Sequence, residues 1–126
     1  MAANPKTVMI VEDEPDAAEL FAEMMRVSGY RVLKASASAL AMRMITEQKP
    51  DVIILDIMMP DISGLEILHF MQREADLAKI PVVVVSAKSM PSDVRDGLDA
   101  GASIYLTKPV GFADLKSAVE RALKDS

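Results

Sequence analysis

Asp56 stands directly after four apolar residues, Val52-Ile53-Ile54-Leu55, and is followed by Met58, Met59, Pro60 and Gly64. A run of that kind reads as a strand buried on both faces. A carboxylate at the tip of a buried strand costs free energy unless something uses it. The arrangement recurs along the chain. Thr7-Val8-Met9-Ile10-Val11 ends in Glu12-Asp13-Glu14, and Pro81-Val82-Val83-Val84-Val85 delivers Ser86. Ser103 to Leu106, which contains Tyr105, leads to Thr107-Lys108-Pro109. Taken singly, each group has an ordinary reading. The acids suit a helix N-terminus, Asp56 suits a turn before Pro60, Ser86 suits a cap or turn, Lys108 a solvated surface and Tyr105 an edge strand. The ordinary readings lose ground only if one fold gathers all of these groups.

Gathered, they have a definite chemistry. Carboxylates converging in one pocket repel one another and need a cation. Oxygen ligands without imidazole or thiolate select magnesium, or manganese as the alternative. Lys108 adds a point charge suited to a phosphate oxygen, and Ser86 adds a hydroxyl donor. A carboxylate nucleophile, a divalent ion, a lysine and a hydroxyl are the parts for in-line phosphoryl transfer onto Asp56. Other chemistries lack their parts. There is no cysteine, and the one histidine, His69, falls inside an expected helix. Nothing matches a P-loop or a dinucleotide fingerprint.

The elements that must position these groups alternate along the chain. Between the strands, Pro15 opens a helix with Ala17, Leu20, Phe21 and Met24 inward and Gly29 as its stop. Arg31 to Ala35 reads as the second strand, and Ala41, Met42 and Ile45 give the next helix its inner face. Further helices are expected over about 64–74 (Leu65, Leu68 and Met71 inward) and about 91–100, where Gly97 should weaken the helix. A last helix is striped by Phe112, Leu115, Val119 and Ala122. Five strands alternating with five helices imply an α/β fold with a parallel sheet covered on both faces. Crossovers in such a sheet are right-handed. Ligands bind beyond the carboxyl ends of the strands where strand order reverses, and every polar group named above falls on that edge.

Composition bounds the rest. At 126 residues the expectation is one domain, 1–126, with a core over about 6–124. A formal charge of −5 disfavours direct nucleic-acid binding. No apolar run reaches membrane length and no signal peptide precedes the first strand, so the expected compartment is the cytoplasm. The ten methionines are scattered and read as core filler.

On Glu12-Asp13, Asp56 with Met59-Pro60 and Gly64, Ser86-Ala87, and Tyr105-Leu106-Thr107-Lys108-Pro109, the chain resembles the receiver domain of two-component response regulators over essentially its whole length. The resemblance implies a flavodoxin-like three-layer sandwich with strand order 2-1-3-4-5. It implies that Asp56 takes a phosphoryl group from a phosphohistidine of a sensor histidine kinase or a histidine phosphotransfer protein. Asp13, Asp56 and the Met58 carbonyl would bind magnesium directly, with Glu12 acting largely through water. Lys108 would grip the phosphoryl group beside a cis Lys108-Pro109 bond. Ser86 would bond a phosphoryl oxygen, and Tyr105 would swing inward. The output face for a downstream protein effector would be the fourth helix, fifth strand and fifth helix. Such a chain is not an enzyme beyond its own phosphorylation and dephosphorylation.

Some positions depart from the family or set competing readings. Ser103-Ile104 stand where receivers attached to winged-helix domains commonly carry two acids, which puts that mode of dimerisation in doubt. A monomer, or a weak dimer dependent on phosphorylation, is expected instead. The last helix ends near Ser126, so a stand-alone or excised receiver is expected. Met58 and Lys88 occupy positions that vary in the family and set acyl-phosphate lifetime. Three other functions compete. A pseudo-receiver would have the fold without phosphorylation, against which the full residue set argues. An aspartyl-nucleophile phosphatase would carry a general acid where Met58 stands. A flavin carrier would need a phosphate-binding loop that is missing.

Overall fold

The computed structural model describes residues 4–125. Five parallel strands form its sheet: β1 (Thr7–Val11), β2 (Arg31–Ala35), β3 (Val52–Leu55), β4 (Val82–Ser86) and β5 (Ile104–Thr107). Their spatial order is β2-β1-β3-β4-β5, the expected one. Six helices connect and flank them: α1 (Pro15–Val27), α2 (Ser38–Gln48), α3 (Gly64–Gln72), α4 (Ala75–Ala78), α5 (Pro91–Asp99) and α6 (Phe112–Asp125).

The period of two along each strand sorts the core into two layers. Val8, Ile10, Val52, Ile54, Val83 and Val85 face α1 and α6. Met9, Val11, Ile53, Leu55, Val82 and Val84 face the layer built from α2, α3 and α5 with Leu77 of α4. Right-handed crossovers require this split. The chain leaves β1 toward β2 by way of α1, then returns past β1 to β3 by way of α2, so the two helices lie on opposite faces. The reversal falls between β1 and β3, whose pairing sets Val11 beside Leu55.

Four details differ from the sequence expectation, each for a physical reason. The helix expected to reach Glu74 stops at Gln72, and a sixth, four-residue helix follows. One turn is too short to leave a periodic pattern in sequence, yet it buries Leu77 at 3% exposure. Leu20 is not inward: it is 55% exposed, and the packed face of α1 is Ala18, Phe21, Ala22 and Met25. Phe112, at the first position of α6, is likewise exposed at 41%, because it precedes the packed face of that helix, which is Leu115, Ala118, Val119 and Ala122. β5 runs one residue later than expected and is only half-buried, as is β2; both are edge strands.

Gly64 opens α3 where a close approach demands it. A Cβ there would lie 2.7 Å from the Ile57 Cα and 2.9 Å from the Asp56 carbonyl oxygen, both backbone atoms. Gly64→Ala must therefore push the start of α3 away from the end of β3. The expected loss is about 3 kcal/mol, the upper end for overpacking because backbone cannot rotate aside. Urea unfolding at unchanged m-value measures it, and a loss below about 0.5 kcal/mol, the ordinary surface range, would contradict the tight approach.

Candidate functional site

The sheet ladders continue one residue past the strands and so hold the backbone of each site residue. Glu12 N–H donates to the Ala35 carbonyl at 3.1 Å, Asp56 N–H to the Val11 carbonyl at 3.0 Å, and Lys108 N–H to the Ser86 carbonyl at 2.9 Å. The acids, the hydroxyl and the lysine are thereby brought to one carboxyl edge. Glu14 is the exception among the acids. Its carboxylate turns to the N-terminus of α1 and accepts from the Asp16 and Ala17 N–H groups at 3.1 and 3.2 Å. Behind it, Pro15 supplies a first helical residue that needs no partner for its nitrogen.

Lys108 is the centre of the site. Its Nζ donates to Glu12 Oε1 and to Asp56 Oδ2, each at 3.0 Å. Glu12 and Asp56 are 3% and 7% exposed. Their remaining oxygens are also bonded: Glu12 Oε2 accepts from the Glu14 N–H at 3.2 Å and Asp56 Oδ1 from the Met58 N–H at 2.9 Å. Burial pushes the Glu12 carboxyl above its usual range, and the neighbouring Asp56 charge adds to this; the bonds from Lys108 and Glu14 work the other way. Burial alone would lower the Lys108 pKa, but its two carboxylate partners outweigh it and hold the ammonium above its ordinary value.

Asp13 completes an acidic group with Glu12 and Asp56, in which one oxygen of each lies within 4.8 Å of the others. With all three ionised and Lys108 protonated, the group carries three negative charges and one positive, a net of minus two. One divalent cation matches that charge. All donors are hard oxygens, so the set fits magnesium or manganese and does not fit zinc. Beside the acids a cleft of about 430 Å³ is lined by Asp13, Met58, Pro60, Ser63 and Lys88, among others. A larger cleft of about 560 Å³ lies at the opposite edge of the sheet, near Lys49 and α4, away from this chemistry.

Ser86 is fully buried and its Oγ accepts from the Lys88 N–H at 3.2 Å. The Tyr105 hydroxyl donates to the Lys88 carbonyl at 2.8 Å, so the phenol is joined to the segment that leaves Ser86. Its pKa is raised, first by burial. Gly97 makes room for the ring. A Cβ on Gly97 would come within 2.7 Å of Tyr105 Cδ2. The helix-weakening glycine expected in α5 is thus a packing requirement, legible in sequence only as a glycine inside a helical pattern. The Lys108-Pro109 bond is cis. His69 is exposed and stands apart from the site.

Besides Met58, Met59 and Pro60, the loop between β3 and α3 carries a residue that the sequence does not single out. Asp61 accepts from the Ser38 N–H at 2.9 Å and from the Ala39 N–H at 3.3 Å, capping α2 from 23 positions away. The signal available in sequence was weak: Ala37 stands where α2 needs a capping side chain.

Removing the shared cation tests the electrostatics. Glu12 has a folded pKa above its ordinary 4.5, so the cost of burying its charge is absent at low pH and appears as pH rises through the raised pKa. Lys108→Ala removes a bond that lowers that pKa and leaves two buried acids unpaired. In metal-free buffer at about pH 7.5 the variant should lose about 2 kcal/mol, less than a fully buried pair because the cleft is open. The gap should narrow as pH falls, because protonation of the Glu12 carboxyl, whose pKa is raised, removes the buried charge. Thermal melts of both proteins over a falling pH series decide it: a gap independent of pH contradicts the shared-cation account.

Comparison with known proteins agrees with this geometry. Residues 8–120 match the family model of the response regulator receiver domain. The chain is 32% identical over 122 residues to the polar-differentiation response regulator DivK of Brucella anthropi, covering 97% of this chain and 99% of DivK. It is 34% identical to the phosphate regulon transcriptional regulatory protein PhoB of Pseudomonas aeruginosa, covering 94% of this chain but only 52% of PhoB. The chain thus spans about half the length of that regulator. Among solved structures, the receiver domain of the sensor histidine kinase PA1611 from Pseudomonas aeruginosa PAO1 superposes with a TM-score of 0.88 at 26% identity, covering 95% of this chain and 98% of that one. That structure has a magnesium ion coordinated in its active-site cleft. With the sheet order, the acidic edge and the matched residues in agreement, this chain belongs to the response regulator receiver domain family.

Proposed function

We propose that the chain is a cytoplasmic phosphoacceptor switch in which Asp56 takes a phosphoryl group from a phosphohistidine of a sensor histidine kinase or histidine phosphotransfer protein. The whole chain acts as one receiver domain with its core over about 6–124. The observation that carries this reading is the Lys108 ammonium shared at 3.0 Å between Asp56 and Glu12 on the edge that also holds Asp13 and Ser86. In the transfer, an Asp56 oxygen forms a bond to phosphorus while the phosphorus–nitrogen bond of the phosphohistidine breaks. The electron pair of that bond leaves with the imidazole, which is protonated from water.

Glu12, Asp13, Asp56 and the Met58 carbonyl would hold the magnesium ion, which when bound neutralises charge on the phosphoryl oxygens. Lys108 moves from sharing two carboxylates to contacting the transferred group. The Ser86 hydroxyl donates to another phosphoryl oxygen. Ser86 and Tyr105 both meet the segment at Lys88, the first through its N–H and the second through its carbonyl. A shift of Ser86 therefore reaches Tyr105 and the face formed by α5, β5 and α6, where a downstream protein effector docks. The chain turns over at most its own acyl phosphate. Met58 offers no general acid for external esters.

Incubation with acetyl phosphate and magnesium followed by intact-mass measurement tests the acceptor. Wild type should gain one phosphate and Asp56→Asn none. A wild-type protein that stays unmodified would make the chain an interaction module on the receiver fold, and continuous release of phosphate from unrelated esters would make it a phosphatase.

The lifetime of the adduct follows from the mouth of the cleft. Met58, 51% exposed, screens the acyl phosphate from water, and Lys88 lacks the acid or amide that would orient an attacking water. The double variant Met58→Asn, Lys88→Glu should dephosphorylate faster than the parent in a decay time course. A rate equal to the parent's rejects this account of the lifetime.

A further inference from the structure

Asp61 lies outside the acidic site, five residues beyond Asp56, yet the loop it belongs to supplies the Met58 carbonyl. That loop, residues 57–63, is held at both ends by its own backbone. Met59 N–H and Gly64 N–H both donate to the Ile57 carbonyl, at 3.0 and 2.9 Å. At its middle the Asp61 carboxylate meets its own segment at the Ile62 backbone N–H, but the tie to the rest of the fold lies elsewhere. The hold comes from α2: Asp61 accepts from the Ser38 and Ala39 N–H groups, and the fully buried Ser38 returns a bond from its Oγ to the Ile62 carbonyl at 2.5 Å. α2 in turn has no capping side chain at Ala37 and no acid in its own first turn. The helix N-terminus and the loop are therefore complementary halves of one clamp. Asp61 supplies the charge that the helix dipole favours, and the helix supplies rigidity to the loop.

We propose that Asp61, through the Ser38 clamp, is a positioning residue for the cation site: it sets the β3–α3 loop so that the Met58 carbonyl and Asp56 Oδ1 are held ready for the ion. The inference rests on the functional reading above, since it takes Met58 as a ligand. It adds a residue whose cross-chain hydrogen bonds go to α2 and not to the metal-site acids. The Asp56 side chain already bonds the Met58 N–H at 2.9 Å, so a displacement of the loop middle moves both groups together.

Manganese binding to the purified chain, followed by the electron paramagnetic resonance signal of free Mn2+, tests this without phosphorylation. Asp61→Ala should weaken Mn2+ binding about tenfold, the lower end for loss of an outer-shell support. Because Asp61→Ala also uncaps α2, a second variant separates the two effects. Ala37→Ser combined with Asp61→Ala returns a local cap to the helix and should recover much of the lost melting temperature. The Mn2+ affinity should stay weak in it, because a cap at Ala37 does not reach the loop. Recovery of both quantities together would make Asp61 only a helix cap, and unchanged affinity in Asp61→Ala would overturn the proposal outright. Wild-type protein that binds no Mn2+, or binds it equally after Asp13→Asn, would instead overturn the metal reading on which the proposal stands.

Discussion

One ammonium among three carboxylates is the constraint on which this molecule turns. Lys108 reaches Glu12 and Asp56 at 3.0 Å each and cannot also neutralise Asp13. Glu12 and Asp56 are held on buried strand ends, so they cannot relax into water. Burial raises the Glu12 carboxyl while the same acids hold the Lys108 ammonium above its ordinary range. A site of this kind stores an unbalanced charge. That imbalance, two negative charges in excess, is what the proposed exchange of the shared lysine for a divalent ion would relieve.

The sheet exists in the form that makes this possible. β1 and β3 are sequence-distant but adjacent in space, and their pairing at Val11 and Leu55 sets Glu12 and Asp56 side by side. β4 stands next to β3 and delivers Ser86, and β5 closes the edge with Lys108 bonded by its backbone to Ser86. The inner strands are apolar except for Thr7 at the start of β1 and Ser86 at the end of β4, because helices cover both of their faces. The two edge strands are only half-buried, and Tyr105 can therefore reach from β5 over Gly97 to the Lys88 carbonyl. A buried inner strand would not leave an aromatic ring that freedom.

Loops at the carboxyl edge surround the acidic group, and each is made rigid by a separate device. The segment after β1 is held by Glu14 at the N-terminus of α1 and by Glu12 Oε2 on the Glu14 N–H. The segment after β3 is held by the Asp61–Ser38 clamp and by the backbone contact that requires Gly64. The segment after β4 is held by the Ser86 Oγ and the Tyr105 hydroxyl. None of these devices is a long-range charge effect. They are hydrogen bonds and close contacts between neighbouring groups, which fix each segment in place.

Apolar runs and the polar residues at their ends determined, from sequence alone, the alternation of strands and helices, the parallel sheet and the set Glu12, Asp13, Asp56, Ser86 and Lys108. They did so because burial on both faces leaves a continuous apolar string, and a polar group ending such a string is conspicuous. The order of the strands came from resemblance, since local pattern carries no record of which strand lies beside which. Only tertiary structure decided that Leu20 and Phe112 face water, that a single turn at Ala75–Ala78 buries Leu77, and that Glu14 caps a helix while Glu12 meets Lys108. It also decided that Gly97 serves the Tyr105 ring and that Asp61 serves a helix 23 residues upstream. These depend on which surfaces meet after the sheet has formed. A contact between distant segments has no signature in the spacing of either one.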